Sequence, residues 1–240
     1  ITYNMRILVT GASGMLGSTM AIELSRKHKV FGTGSSDISI PIDYRVFDLS
    51  NDSYKDLIDW SQPELIIHCA AITNGNYCEG NPLKAFEING MSVKNFLNAT
   101  NNKTKIIYIS TDAVFPSSIH LAKELDFVDP ENVYGKSKEL GEFFLNSSQD
   151  RNYTIIRTTI VGLNTNKKKT GFVEWIINTA KENEELGLFT DVLFSPISIW
   201  DLVNEIVFLI NTDNINSETL HIAGELCTKY EFGSKLLETL

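Results

Sequence analysis

Arg6-Ile7-Leu8-Val9-Thr10-Gly11-Ala12-Ser13-Gly14-Met15-Leu16-Gly17 reads as a buried strand, a glycine-rich turn and the first turn of a helix. The short apolar run has strand length, and Ser18-Thr19-Met20-Ala21-Ile22-Glu23-Leu24 continues it with helical periodicity. Strand, glycine turn and helix in this order form the context that makes a loose glycine pattern a dinucleotide site. Gly11 permits the tight turn, Gly14 lets backbone approach a pyrophosphate at the helix N-terminus, and Gly17 lets the helix lie close on the strand. Ser13, Met15 and Leu16 complete the turn. The spacing, G-x-x-G-x-x-G, is one residue longer between the first two glycines than the usual fingerprint.

Outward from this unit, further strands are expected at 30–33, 46–47, 65–69, 105–109 and 153–157. Helices are expected over 51–60, 82–100 and 134–147. This alternation predicts an α/β fold, a doubly wound parallel sheet with helices on both faces. Ligands of such sheets bind at the carboxyl ends of the strands. Those ends carry Gly11, Asp48, Ala70-Ala71, Ser110-Thr111 and Thr158. Beyond Gly162 the pattern is less regular, with helices expected over 172–182, 199–211 and from Tyr230, and strands at 188–189 and 219–222. The chain therefore divides into a Rossmann-like domain, 1–162, and a smaller, less regular C-terminal part, 163–240. Lys167-Lys168-Lys169 is a basic loop, either solvated surface or a contact for a substrate phosphate.

The 240 residues are 42% hydrophobic and 21% charged, ordinary for a globular protein able to bury a core. A net charge of −9 argues against nucleic acid and anionic membrane as general partners, without excluding an anionic small molecule held by local donors. Cys69, Cys78 and Cys227 show no paired spacing, so neither a disulfide framework nor a metal site is expected. No run approaches the length of a membrane span and no signal-peptide pattern opens the chain. A cytoplasmic location is the expectation, with Met5 as the natural start and Ile1–Asn4 an extension.

Tyr134-Gly135-Lys136-Ser137-Lys138 sets a phenol and an ammonium one helical turn apart on a shared face. A tyrosine near its ordinary pKa of about 10 is poorly placed for proton transfer at neutral pH. A neighbouring lysine favours the phenolate, and so is expected to lower the Tyr134 pKa. The hydroxyls of Ser110-Thr111 supply a third group that can hydrogen-bond a carbonyl oxygen.

With both motifs in place, the chain resembles the extended short-chain dehydrogenase/reductase superfamily and, within it, the dTDP-4-dehydrorhamnose reductase family. The turn 11–17 and Tyr-x-x-x-Lys carry the superfamily resemblance. The run Ser110-Thr111-Asp112-Ala113-Val114-Phe115 points to the reductases, with Asn89, Gly141-Glu142, Ile156-Arg157-Thr158 and Phe194-Ser195-Pro196-Ile197 in support. The resemblance implies reduction of the 4-keto group of a nucleotide-activated deoxysugar, dTDP-4-dehydrorhamnose to dTDP-L-rhamnose. In that role Tyr134 protonates the carbonyl oxygen, Thr111 holds it, and Lys138 tunes Tyr134 and bonds the nicotinamide ribose. Ser110 would face the core, although sequence alone does not separate it from Thr111. By the same resemblance, Asp48 and Leu49 flank the adenine, with a turn-capping role for Asp48 equally open. Ala70, Ala71, Thr73 and Asn89 join the cofactor site, and Thr73, Asn76, Thr111 and Asp112 the substrate site. The resemblance also implies that 163–240 form a small substrate lobe interleaved with the core, helix 199–211 packing back on it and the lobe incomplete at Leu240; a homodimer is compatible with it.

An acid at the end of the second strand would favour NAD. Here Gly34-Ser35-Ser36 stand there, with Asp37 too late, so NADPH is expected and NADH remains open. Departures bear on the substrate: Asn76-Tyr77 replace an Asp-Lys pair common in the reductases, and Ile160 replaces a frequent Trp. Ala113 after Asp112 disfavours the sugar-nucleotide dehydratases, which carry Glu there, and the missing acid after strand two disfavours a 4-epimerase. A non-catalytic NADP-binding subunit resembling that of methionine adenosyltransferase is the alternative of another class.

Overall fold

The computed structural model describes residues 5–164, 170–182 and 184–239, so Lys167-Lys168-Lys169 lie outside the described residues. In chain order the first half comprises β1 Arg6–Thr10, α1 Met15–Ser25, β2 Lys29–Gly34, β3 Asp43–Val46, α2 Tyr54–Ser61, β4 Leu65–His68, α3 Gly75–Gly80 and α4 Pro82–Ala85. A π-helical turn, Phe86–Met91, leads into α5 Ser92–Ala99 and β5 Lys105–Thr111. Then come α6 Val133–Asn146, β6 Tyr153–Val161, α7 Phe172–Lys181, β7 Leu193–Phe194, β8 Pro196–Ser198, α8 Ile199–Asn211, β9 Glu218–His221, β10 Cys227–Thr228 and α9 Lys229–Glu238.

The main sheet runs β3-β2-β1-β4-β5-β6, and every pairing in it is parallel. Strand alternation sorts its side chains into two cores. Ile7, Val9, Leu65, Ile67, Ile107 and Ile109 face one, shared with Leu16 and Met20 of α1 and with Leu202, Val203 and Ile206 of α8. Leu8, Ile66, Ile106 and Tyr108 face the other, packed with Leu57 of α2, Phe96 of α5 and Leu145 of α6. The order in which strands are added reverses between β1 and β4, which opens a crevice at the carboxyl ends of the strands there. Among the described residues no helix is long and apolar enough to cross a membrane.

Several boundaries differ from the sequence-based expectation. The third strand is Asp43–Val46 rather than 46–47, because a largely exposed edge strand carries polar residues and gives no apolar run. β6 continues to Val161: its first half pairs with β9 and its second half with β8, so the strand stays covered beyond Arg157. Residues 188–189 are not a strand; the small antiparallel pair is β7 with β10. The expected long helix 82–100 is interrupted by the π turn, whose extra residue per turn rotates Asn89 and Gly90 into the interior.

Candidate active site

Gly11 adopts φ +67°, and a Cβ there would lie 2.8 Å from the Ala70 backbone, so the turn after β1 rests directly on the chain leaving β4. α1 begins at Gly14 with no side-chain cap and no acid in its first turn, which leaves its positive end open to an anion. Beneath the turn, Thr10 Oγ1 lies 2.6 Å from His68 Nδ1, and His68 Nε2 lies 2.8 Å from Ser92 Oγ. Ser92 donates to the Ile88 carbonyl (2.7 Å), so it accepts from Nε2–H, and Nδ1 accepts from Thr10. Burial holds His68 at a pKa of about 3, which makes it a neutral tie between two strand ends and the start of α5. It was not anticipated, because a histidine inside an apolar strand gives no signal for its partners.

Two cavities of about 570 and 460 Å³ flank this turn and share Gly11, Gly14, Cys69 and Ala71, so they form one cleft. The smaller part runs over Ser13, Ser35, Asp48 and Leu49, and Lys84, which sequence reasoning missed, also lines it. Asp48 accepts from the Ser50 amide (2.9 Å) and hydroxyl (2.6 Å) and from Asn51 (2.7 Å). Those bonds pull its pKa down to about 2. Asp48 therefore shapes a turn and borders the cleft at once. Lys84 donates to Ser50 Oγ and lies 3.8 Å from Glu87.

The larger part holds Thr111, Asp112, Tyr134 and Lys138, with Met15, Leu16, Gly17 and Thr73 also at its wall. On the far side, Thr158 was expected as a strand end on the ligand edge and Ile160 was singled out only as a departure from the family, while Thr159, Asn164 and Gly171 were missed. The signal was available in principle, since these residues follow a strand end on the ligand edge. Ser36, Asn76 and Asn89 do not line either part. Ser36 lends its carbonyl to the Tyr44 hydroxyl (2.5 Å), and Asn76 is exposed on α3. The Asn89 amide is committed elsewhere: Oδ1 accepts from the Ile72 amide (2.7 Å), and Nδ2 donates to the Ile72 carbonyl and to Ser137 Oγ (both 2.9 Å). Asn89 thus joins the loop after β4 to α6.

α6 is fixed at its start by Asn132, whose Oδ1 accepts from the Gly135 amide, and by Glu79, whose carboxylate accepts from the Val133 amide (both 2.7 Å). These contacts hold Tyr134 beside Thr111. Ser110 and Thr111 separate as strand alternation requires: Ser110 donates to buried Glu142 (2.5 Å), while Thr111 borders the cavity and accepts from the Ala113 amide (3.1 Å). Burial pushes the Tyr134 phenol up to about 12, against a hydrogen bond with Thr111 that lowers it. The expected lowering by Lys138 is not seen. Lys138 Nζ instead sits over the Tyr108 ring, 4.0 Å from its centroid, and burial presses its own pKa down to about 7 while Glu142 raises it.

A buried amine with a depressed pKa is a cost to the fold. Between the folded value near 7 and the unfolded value of about 10.4, the unfolded chain binds more protons, so this contribution to stability improves as pH rises through that window. Lys138→Met is accordingly expected to raise the melting temperature by a few degrees, equivalent to about 1–2 kcal/mol, at pH 6–7. Calorimetry showing a lower melting temperature would oppose this.

The donor set suits a nicotinamide dinucleotide. Backbone and an uncapped helix end lie at the middle of the cleft, hydroxyls and an apolar wall at one end, and a phenol and an amine at the other.

The model of the RmlD substrate binding domain family matches residues 5–240. The chain is 30% identical over 237 residues to the spore coat polysaccharide biosynthesis protein SpsK of Bacillus subtilis, covering 97% of this chain and 78% of that protein. Among solved structures, a hypothetical dTDP-4-dehydrorhamnose reductase from Sulfolobus tokodaii superposes with a TM-score of 0.86 at 34% identity, over 98% of this chain and 82% of that one. The dTDP-4-dehydrorhamnose reductase of Bacillus anthracis, solved in complex with NADP, gives 0.85 at 30% identity, over 98% and 80%.

Proposed function

The chain belongs to the RmlD substrate binding domain family, and on that premise we propose that it is an NADPH-dependent reductase of the 4-keto group of a nucleotide-activated deoxysugar. dTDP-4-dehydrorhamnose is the first substrate to try. The observation that carries the reading is the joint placement of Thr111, Tyr134 and Lys138 in a cavity continuous with the glycine-turn cleft.

Gly11, Ser13, Gly14 and the first turn of α1 would hold the pyrophosphate, and Ser35, Asp48 and Leu49 the adenosine end. NADPH, when bound, supplies the hydride. The chain's residues supply the rest. Thr111 offers its hydroxyl to the carbonyl oxygen and orients it. Tyr134, with a pKa of about 12, is protonated at neutral pH and therefore stands ready as the acid that quenches the developing alkoxide. A donor aimed at that oxygen is worth up to about 3–4 kcal/mol. Lys138, one helical turn from Tyr134 and lining the same cavity, would contribute the positive charge that it keeps with a pKa of about 7 as the phenol loses its proton. The far wall, with Ile160 at the family's frequent Trp position, sets the shape of the sugar site.

The lean to NADPH rests on the end of β2, where Ser35 borders the cleft and no carboxylate follows directly. Such a carboxylate would repel a 2′-phosphate. The test is NADPH oxidation with dTDP-4-dehydro-6-deoxy-L-mannose, run beside NADH. Turnover, faster with NADPH, is the expected result. NADPH binding without turnover of this or related keto sugars would favour the non-catalytic subunit instead.

A further inference from the structure

Glu174, in the first turn of α7, makes more bonds than capping requires. Its carboxylate accepts from the Gly171 amide (2.5 Å), which is the bond of an ordinary N-terminal cap. The same carboxylate also accepts from the Asn164 amide and from Asn164 Nδ2 (2.9 Å), ten residues upstream and just past the end of β6. A Cβ on Gly171 would stand 2.9 Å from Glu174 Oε2 and 3.3 Å from Asn164 Nδ2, so the three residues meet at one point. Asn164 and Gly171 both line the larger part of the cleft, with Thr170 beside them, and Glu174 is the group that joins them. The helix that carries it is itself anchored. Ile176 is fully buried, and Phe172 packs against Phe194 and Phe232 with ring centroids 6.1 and 5.8 Å apart. This wall follows β6, on the side of the sheet away from β1 and its glycine turn.

We propose that Glu174 is a positioning residue for the sugar end of the substrate: by holding Asn164 against Gly171 it fixes the far wall of the cavity, and so helps to set which sugar fits. The inference rests on the reading of this cavity as a sugar-nucleotide site, and only its consequence in turnover rests on the reductase chemistry. A wall held by three hydrogen bonds to one carboxylate keeps its shape while the site is empty, and a pre-formed site avoids an ordering cost when the ligand arrives. The wall is thereby tied to an anchored helix of the C-terminal part as well as to β6. A cap alone would need the Gly171 bond and would have no use for Asn164.

Two substitutions separate the tie from the cap. Glu174→Asp keeps a carboxylate in the first turn, where it still suits the helix end, but is one methylene too short to hold Gly171 and Asn164 together. Glu174→Gln keeps the length and puts an NH2 where a carboxylate oxygen accepted. In both, the dissociation constant for dTDP-4-dehydro-6-deoxy-L-mannose, read by calorimetry on the full chain, should rise by about tenfold, and KM with it. The NADPH dissociation constant and kcat should stay within about twofold of wild type, and the Asp variant should keep its melting temperature. If the Gln variant fails to fold, Asn164→Ala leaves the cap whole and should weaken the sugar in the same sense. Wild-type sugar affinity in Glu174→Asp would show that Glu174 is a cap and no more, and would overturn the proposal. An equal loss of NADPH affinity would also overturn it, by making this wall part of the cofactor site. The tenfold loss of sugar affinity in a chain that binds the sugar without reducing it would uphold Glu174 and sink the reductase reading alone.

Discussion

Tyr134→Phe is expected to lower kcat by about a thousandfold or more while leaving NADPH affinity within about twofold of wild type. The substitution removes one oxygen from a ring held by α6, and the contacts that place that helix, through Asn132, Glu79 and Asn89, do not involve the phenol. Gly11, Gly14 and the open end of α1 also remain, so cofactor binding has no reason to change. What is lost is the proton at the carbonyl oxygen. Thr111→Ala should cost less, since it removes an orienting hydroxyl and leaves the acid in place. Stopped-flow single turnovers beside a fluorescence titration of NADPH would separate chemistry from binding. Residual activity above a tenth of wild type would mean that the proton comes from elsewhere, with Asp112 an acid that lines the same cavity.

Which parts of this site could be read in advance follows from how local each signal is. The glycine turn, the Tyr-Lys spacing and the strand ends are set by a few adjacent residues, and the cleft forms around them. The separate fates of Ser110 and Thr111 needed the register of β5, because strand alternation assigns faces only once the strand's ends are known. Asn89 was expected at the cofactor, yet the π turn swings it to Ile72 and Ser137, and no helical periodicity announces an i→i+5 turn. The pKa expectation for Tyr134 failed for a related reason. Spacing places Lys138 near the phenol, but burial, a property of the whole fold, moves both groups further than they move each other. The far wall beyond Thr158, at Thr159 and Ile160, was obscured because β6 extends beyond the expected strand by pairing with β8, a contact distant in sequence.

Gly17→Ala should damage the fold and the cofactor site together. A Cβ at Gly17 would stand 2.2 Å from the Gly11 carbonyl oxygen, 2.6 Å from its carbon and 2.9 Å from the Ala12 nitrogen. All three are backbone atoms, so no rotamer relieves the contact. The turn cannot retreat either, since Gly11 already lies against the backbone of Cys69 and Ala70. The helix must therefore lift off the turn, breaking its packing through Leu16 and Met20 against α8 and displacing the uncapped helix end proposed to hold the pyrophosphate. Overpacking of this kind costs about 1–3 kcal/mol or more, which for a chain of this size lowers the melting temperature by roughly 4–10 °C. NADPH affinity should fall by more than tenfold, because the same displacement removes the anion site. Gly14→Ala is the informative contrast: its Cβ meets only the Gly11 oxygen, at 3.2 Å, a contact that a small adjustment relieves. That variant should keep nearly all of its thermal stability, and any loss would concentrate in NADPH binding, where the missing hydrogen of Gly14 is replaced by a methyl at the edge of the cleft. Equal melting temperatures for the Gly17→Ala protein and wild type would show that α1 can shift without cost, and the close seating of helix on turn would then not be what builds the site.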